Sequence, residues 1–341
     1  MRFKLRLAKT SVGETAMRTR IALLAALLTG SLAGAVQAQT QKVVVYTAVK
    51  QSLVDKLTPM FQAQTGIKVE VITAGSGDII NRVRAEAAAP KVDVIWSIGG
   101  EELEASKALW APYTPAANDM IVPAYRISPE WLPFSGILAV FVVNTQALKP
   151  AEYPHGWRDL TDPKWKGQVA SARADASGSS FQQFATVLTA YGDQGWDIYK
   201  RILDNMMLAD SSGLVPRLVN DGEAKVGITL EDNALDYVKG GGPVAIVYPD
   251  DGTSTVADGM ALAKGAPDAE NGKKFLDFLL TKPVQEIVVH DMGRRAVRTD
   301  VPSGGGARPI AEVKLVNYDI RAVAAKRGEW LARWKEMAAG R

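Results

Sequence analysis

No cysteine occurs anywhere in the 341 residues, which excludes disulfides, thiolate chemistry, cysteine-based metal sites and the lipid-attachment cysteine of an anchored lipoprotein. Histidine is almost as scarce. The two present are His155, in a Pro–Gly turn, and His290, at the end of an apolar helical pattern; both read as surface or capping residues rather than bases or ligands. Also missing are Gly-x-Ser-x-Gly, His-Glu-x-x-His, a phosphate loop ending in Gly-Lys-Ser/Thr and the spacing of a calcium-binding loop. No catalytic constellation, metal site or resident cofactor is indicated, and the expectation is a protein that is not an enzyme. Long apolar runs are absent but for "IALLAALLTGSLAGAV" from Ile21, which is too short and too rich in glycine and serine to span a bilayer.

That run lies behind the basic "MRFKLRLAKTSVGETAMRTR" and ahead of "QAQT", with small residues at Val36 and Ala38. The three-part pattern predicts a secretory signal peptide over residues 1–38, cleaved near Ala38, with Met17 an alternative start to Met1. The mature protein is expected to be exported and to carry no direct membrane anchor. Removing the segment takes six Lys and Arg and one Glu with it, leaving 34 basic residues against 36 acidic and moving the formal charge from +3 to −2. The basic balance therefore belongs to targeting, and neither nucleic acid nor an anionic membrane is implied as partner. About 300 remaining residues exceed a comfortable single core, so two lobes are expected.

"KVVVYT" from Lys42 reads as a strand, "QSLVDKLTPMFQAQTG" as a helix stopped by Gly66, "IKVEVIT" as a strand, "SGDIINRVRAEAAA" as a helix and "VDVIW" as a third strand. Such alternation means a parallel α/β sheet with right-handed crossovers, in which ligands sit where strands open into helices. The turns at 47–51, 74–78 and 97–101 are the ones to watch. Two further apolar runs, "GILAVFVVN" at 136–144 and "GPVAIVYPDDGT" at 242–253, enclose a self-contained α/β segment and read as two strand-like crossings between lobes.

The candidate binding residues lie at these openings. In "DASGSSFQQFATVLTAYG" at 175–192, Phe181, Phe184, Leu188 and Tyr191 keep helical spacing, and Ser177, Ser179 and Ser180 compete to cap it. One cap is enough; Ser177, Gly178 and Ser179 also offer hydroxyls, amides and a positive helix end to an anion. "AGSGD" at 74–78 repeats the chemistry with Ser76 and Gly77. Thr47 and Lys50 follow the first strand, Lys50 as a candidate cation. Glu231 and Asp232 in "TLEDNALDY" suit the dipole of a first helical turn or the hydroxyl or ammonium groups of a ligand. Trp96 ends the third strand at the expected ligand edge.

Together, "VVVYTAVKQSLVDKLTPMFQAQTGIKVEVI" at 43–72, "VDVIWS" at 92–97, "LTDPKWKGQVA" at 160–170, "ENGKKFLDFLLTKPVQEIV" at 270–288 and "RRAVRTDV" at 294–301 resemble the solute-binding proteins of the ferric-iron, thiamine, phosphonate and sugar-phosphate group of ABC importers. The resemblance implies a monomeric, periplasmic, two-lobe binding fold of type II, with mixed sheets flanked by helices and a two-strand hinge. Its cleft would close on a ligand and deliver it to a membrane permease. The expected division is 39–137 with 250–300 in one lobe and 138–249 in the other, with hinge strands near 137–144 and 243–250. A C-terminal helical tail, 301–341, is expected to pack on the second lobe. Ferric binders of this group use a histidine after the first strand, a glutamate after the third and a tyrosine pair in the second lobe. The matching positions here hold Lys50, Ile98, and Asp232 with Asn233, whereas the anion-binding Ser-Gly turn matches Ser177 and Gly178. The expected ligand is therefore a small anionic solute, a sugar phosphate or 2-aminoethylphosphonate. The alternatives are ferric iron with a synergistic anion, an exported phosphate-ester hydrolase, and thiamine, which an aromatic such as Trp96 in the cleft would favour.

Overall fold

Short apolar runs alternate with segments of helical period from Lys42 onward, and in the computed structural model, which describes residues 41–302 and 304–340, they form strands and helices in turn. The expected signal peptide and its start lie outside the described residues. The first elements are β1 (Lys42–Thr47), α1 (Gln51–Thr65), β2 (Lys68–Thr73), α2 (Ser76–Ala85), β3 (Val94–Gly99), α3 (Gly100–Ala105) and β4 (Trp110–Ala111). Leu53, Leu57 and Phe61 of α1 are fully buried, and Gly66 ends the helix at φ 72°, in the left-handed region where a glycine is least strained. β1 pairs in parallel with β2 on one side and β3 on the other, as helical crossovers require.

The rest of the chain adds β5 (Leu132–Asn144), β6 (Val169–Ala172), α4 (Gly178–Tyr191), α5 (Gly195–Asn205), β7 (Met206–Ala209), α6 (Val215–Asn220), β8 (Val226–Leu230), α7 (Glu231–Lys239), β9 (Val244–Val247), β10 (Thr255–Ala263), α8 (Ala269–Leu279), α9 (Lys282–His290) and α10 (Ile320–Ala338). The strand order is β2-β1-β3-β10-β5-β8-β6-β7, with β4 on β10 and β9 on β5. β5 joins the two halves. Leu132–Leu138 runs antiparallel to β10, and Ala139–Val143 runs antiparallel to β8, so one uninterrupted strand serves two lobes. The chain crosses back between β9 and β10. All thirteen residues of β5 are buried. Phe141 and Val143 enter one core of the second lobe with Trp157 and Phe184, while Val140 and Val142 enter the other with Leu218 and Val219. A strand covered on both faces reads as a continuous apolar run, which is what "GILAVFVVN" is.

The C-terminal tail departs from its expected place on the second lobe, because α10 packs on both lobes. Near its start, Ile320 joins the first-lobe core of Leu103, Trp131 and Val256, and Arg327 meets Glu102 of α3 at 2.9 Å. Further along, Val323, Trp334 and Ala338 join Phe181, Phe184 and Tyr199 of the second lobe. Nineteen residues at 1.5 Å each make a helix about 28 Å long, long enough to reach both. Among the described residues no helix is long and apolar enough to cross a membrane.

Candidate functional site

Where the lobes face each other, a cleft of about 300 Å³ is lined by 48–50 after β1, 73–76 after β2, 176–179 after β6 and 210–213 after β7, with Leu230, Asn233 and Arg294. Four turns at the C-terminal ends of parallel strands, from both lobes, meet at one place, as open α/β sheets favour. A larger cavity of about 510 Å³, bounded by 122–127, 255–257 and 318–321, receives nothing from the second lobe.

Two helix starts open into the cleft. Gly75 gives α2 no side-chain cap, so the amides of Ser76, Gly77 and Asp78 have no partner within the helix. At α4 the serines divide their work. Ser177 Oγ accepts from the Ser180 amide at 3.3 Å and caps the helix, and Ser180 Oγ donates back to the Ala172 carbonyl at 2.5 Å. Ser179 lines the cleft, where the amides of Gly178 and Ser179 at the start of α4 have no partner within the helix. The two helix ends nearly touch. A Cβ on Gly75 would stand 2.8 Å from the Ala176 carbonyl oxygen, one on Gly77 2.8 Å from that of Asp175, and one on Gly178 3.1 Å from Ser76 Oγ. Glycine at these positions lets the lobes meet.

Behind the helix ends lies a buried ionic cluster. Arg294 Nη1 donates to Asp258 Oδ2 at 2.5 Å and to the hydroxyls of Ser97 and Ser135, while its Nε reaches Asp232 Oδ2 at 3.1 Å. Ser97 also donates to Asp258 and sits at φ 59°, the sole non-glycine residue with positive φ among the described residues. Such strain persists where surrounding contacts over-determine it, and here Arg294 and Asp258 supply them. Burial alone would raise Asp232, but Lys50 and Arg294 together hold its carboxyl below the ordinary aspartate value. For Asp258 burial outweighs Arg294 and Ser97, and the carboxyl is raised. Burial works against the charge of Arg294, yet Asp232 and Asp258 more than compensate and hold the guanidinium firmly protonated.

Of the residues expected at a ligand, Ser76, Ser177, Gly178, Ser179 and Lys50 line the cleft. The others are placed differently. Thr47 is fully buried, its hydroxyl donating to the Trp96 carbonyl at 2.7 Å and accepting from the Val49 amide, so it is spent on turning the chain after β1. Trp96 points into the core, edge-on to Phe134 and Phe275 at 5.5 and 5.8 Å, because successive β3 side chains alternate across the sheet. Gly77 contributes close approach rather than cleft lining. Glu231 is held by Arg295 at 2.9 Å, by Tyr248 and by the Arg308 amide; burial is the largest influence on it and raises its carboxyl despite Arg295. Asp232 faces Lys50 and Arg294. Sequence reasoning missed Arg294 and the 210–213 turn. Arg294 stands in the quoted "RRAVRTDV" segment, but only its tertiary contacts distinguish it from Arg295.

Two α/β lobes on a shared sheet, two crossing strands and a polar cleft fed by strand ends from both sides define a bilobed binding protein of type II. The profile of the bacterial extracellular solute-binding proteins matches residues 56–313, and the chain belongs to that family. An uncharacterized protein of Haemophilus influenzae is 31% identical over 318 residues, covering 88% of this chain and 91% of that one. The Fe(3+)-binding periplasmic protein of Serratia marcescens is 27% identical over 340 residues, covering 91% and 97%. The structure of the periplasmic binding protein AfuA from Actinobacillus pleuropneumoniae, with exogenous fructose-6-phosphate bound, is similar at a TM-score of 0.83 and 25% identity, covering 89% of this chain and all of that one. The family and the Serratia and Actinobacillus relatives are binding proteins by name, and the chain is the solute-binding component of an ABC importer.

Proposed function

We propose that the cleft captures a small phosphate- or phosphonate-bearing solute in the periplasm, of the sugar-phosphate or 2-aminoethylphosphonate type, and presents it to the importer's permease. The observation that carries this reading is the meeting of two helix N-termini, α2 from one lobe and α4 from the other, with Ser76 and Ser179 both lining the cleft between them. A micromolar binder needs about 8 kcal/mol. A helix N-terminus contributes about 0.3–1 kcal/mol, and charge-assisted hydrogen bonds about 1.5–3 kcal/mol each. Three or four donors among the amides of Ser76, Gly77, Gly178 and Ser179 and the two hydroxyls are therefore enough, and the six are divided equally between the lobes. A solute gripped from both sides favours the closed form through that differential affinity. The lobes are divided at Leu138/Ala139 of β5 and again between β9 and β10, and a signal peptide ending near Ala38 exports the chain as a monomer.

Iron is the second reading, favoured by the name of the Serratia relative. Against it stands the lining of the cleft, where among the described residues Asp210 is the one carboxylate and no tyrosine or histidine appears; His155 is largely exposed and His290 closes α9. The test is a thermal-shift and calorimetric screen of inorganic phosphate, fructose 6-phosphate, 2-aminoethylphosphonate, thiamine and ferric citrate. A phosphorylated or phosphonate compound is expected to stabilise the protein without turnover. The proposal fails if none does, if ferric salt alone produces binding and a visible absorbance band, or if phosphate is released from the sugar phosphate.

A further inference from the structure

Lys50 is one of two cations lining the cleft among the described residues, and its ammonium group is engaged by the protein itself. An ammonium group has three donors. Lys50 Nζ stands 3.2 Å from the Asp232 carbonyl oxygen, 3.2 Å from Asp232 Oδ2 and 2.7 Å from Asp236 Oδ2. The Asp232 carbonyl and the Asp236 carboxylate accept hydrogen bonds and the Asp232 carboxylate closes an ion pair, and all three oxygens belong to α7 of the second lobe, whereas Lys50 follows β1 of the first. Asp232 is 3% exposed and also holds Arg294, while Asp236, at 43%, is outside the cleft lining.

From this geometry we infer that Lys50 is a positioning residue, a latch drawing the first lobe onto α7 and setting the fraction of closed protein, and that it does not grip the solute. The inference rests on the proposed reading for the identity of the solute but not for the latch itself. Closure brings Gly75 and Gly77 against the 175–176 carbonyls on the other side of the cleft, so the latch and the glycine contact bracket the site. A solute that binds the closed form has its dissociation constant divided by the fraction of protein already closed, so its affinity falls with that fraction. Breaking the latch therefore weakens binding with every solute contact intact.

Asp236→Asn separates the two roles by sign. It removes a partly exposed carboxylate that lines no part of the cleft. If Lys50 is a latch, Asp236→Asn weakens the binding of fructose 6-phosphate or 2-aminoethylphosphonate, measured by calorimetry, about two- to fivefold, the scale of one partly exposed ion pair. It also raises the radius of gyration of the solute-free protein in small-angle scattering. Lys50→Met reproduces both changes, and the double variant adds nothing to Lys50→Met. Tighter binding in Asp236→Asn, from an ammonium freed for the anion, overturns the inference. So does an unchanged radius of gyration in both single variants. If the wild-type protein binds neither probe, the proposed solute class fails while the scattering comparison still decides the latch.

Discussion

Gly77→Ala tests whether lobe closure is needed for binding, because it adds one methyl group where the lobes meet. The backbone at Gly77 carries no positive φ, so alanine fits the local conformation, and the new Cβ would stand 2.8 Å from the Asp175 carbonyl oxygen of the opposite lobe. An ordinary contact begins near 3.4 Å, so the lobes must separate by about half an ångström or the turn must deform. Overpacking of this kind costs about 1–3 kcal/mol, here in the closed form alone. That corresponds to a loss of roughly five- to 150-fold in affinity. The open form gains, because alanine is up to about 1 kcal/mol better than glycine within a helix, and Gly77 is the second residue of α2. Calorimetry with the best solute of the screen should show the loss while the melting temperature of the solute-free protein stays level or rises. Unchanged affinity would refute the reasoning, since the lobes could then bind without the approach seen at Gly77. A lower melting temperature with unchanged affinity would place the clash in the fold rather than in closure.

Ser177→Ala removes the α4 cap and should cost about 1 kcal/mol, a few degrees in melting temperature, whereas Ser179→Ala should leave the melting temperature in place and weaken binding. Arg294→Leu leaves Asp232 and Asp258 buried with one cation fewer and should destabilise by about 3–5 kcal/mol, roughly 10 °C, measured by calorimetric unfolding. The pH dependence follows from Asp232, whose carboxyl is held below its ordinary value by Lys50 and Arg294 against the effect of burial. A depressed carboxylate contributes stability above the unfolded-state value and loses it as pH falls through the native one. The urea midpoint of the wild-type protein should therefore exceed that of Asp232→Asn at neutral pH, with the gap closing below about pH 4. The raised Asp258 and Glu231 act in the opposite sense, each losing a burial cost as it protonates, so they add stability as pH falls from neutrality toward that point.

The architecture was legible because periodicity is local. "KVVVYT", "IKVEVIT" and "VDVIW" became β1, β2 and β3 in parallel register, and "GILAVFVVN" became the half of β5 that is buried on both faces. The serine turn was legible for the same reason: a helical pattern from Phe181 requires a start, and Ser177 is its cap. Even there the spare hydroxyls could not be told apart, because Ser180 is claimed by a carbonyl of β6 and Ser179 is not. α10 was misplaced because an amphipathic pattern shows that a helix has an apolar side but not how many partners share it.

Sequence alone thus determined an α/β chain with two lobes, two crossings and helix starts near Ser76 and Ser177, since spacing, composition and capping chemistry act over a few residues. Tertiary structure decided which polar groups remain for a solute. Trp96 and Thr47 went to the core, Glu231 and Asp232 were matched to Arg295, Arg294 and Lys50, and the glycines at 75, 77 and 178 became the contact between lobes. The physical reason is that a buried charge or hydroxyl is costly without a partner, and the pairs Thr47–Trp96, Asp232–Arg294, Glu231–Arg295 and Lys50–Asp232 join residues from 49 to 182 positions apart along the chain.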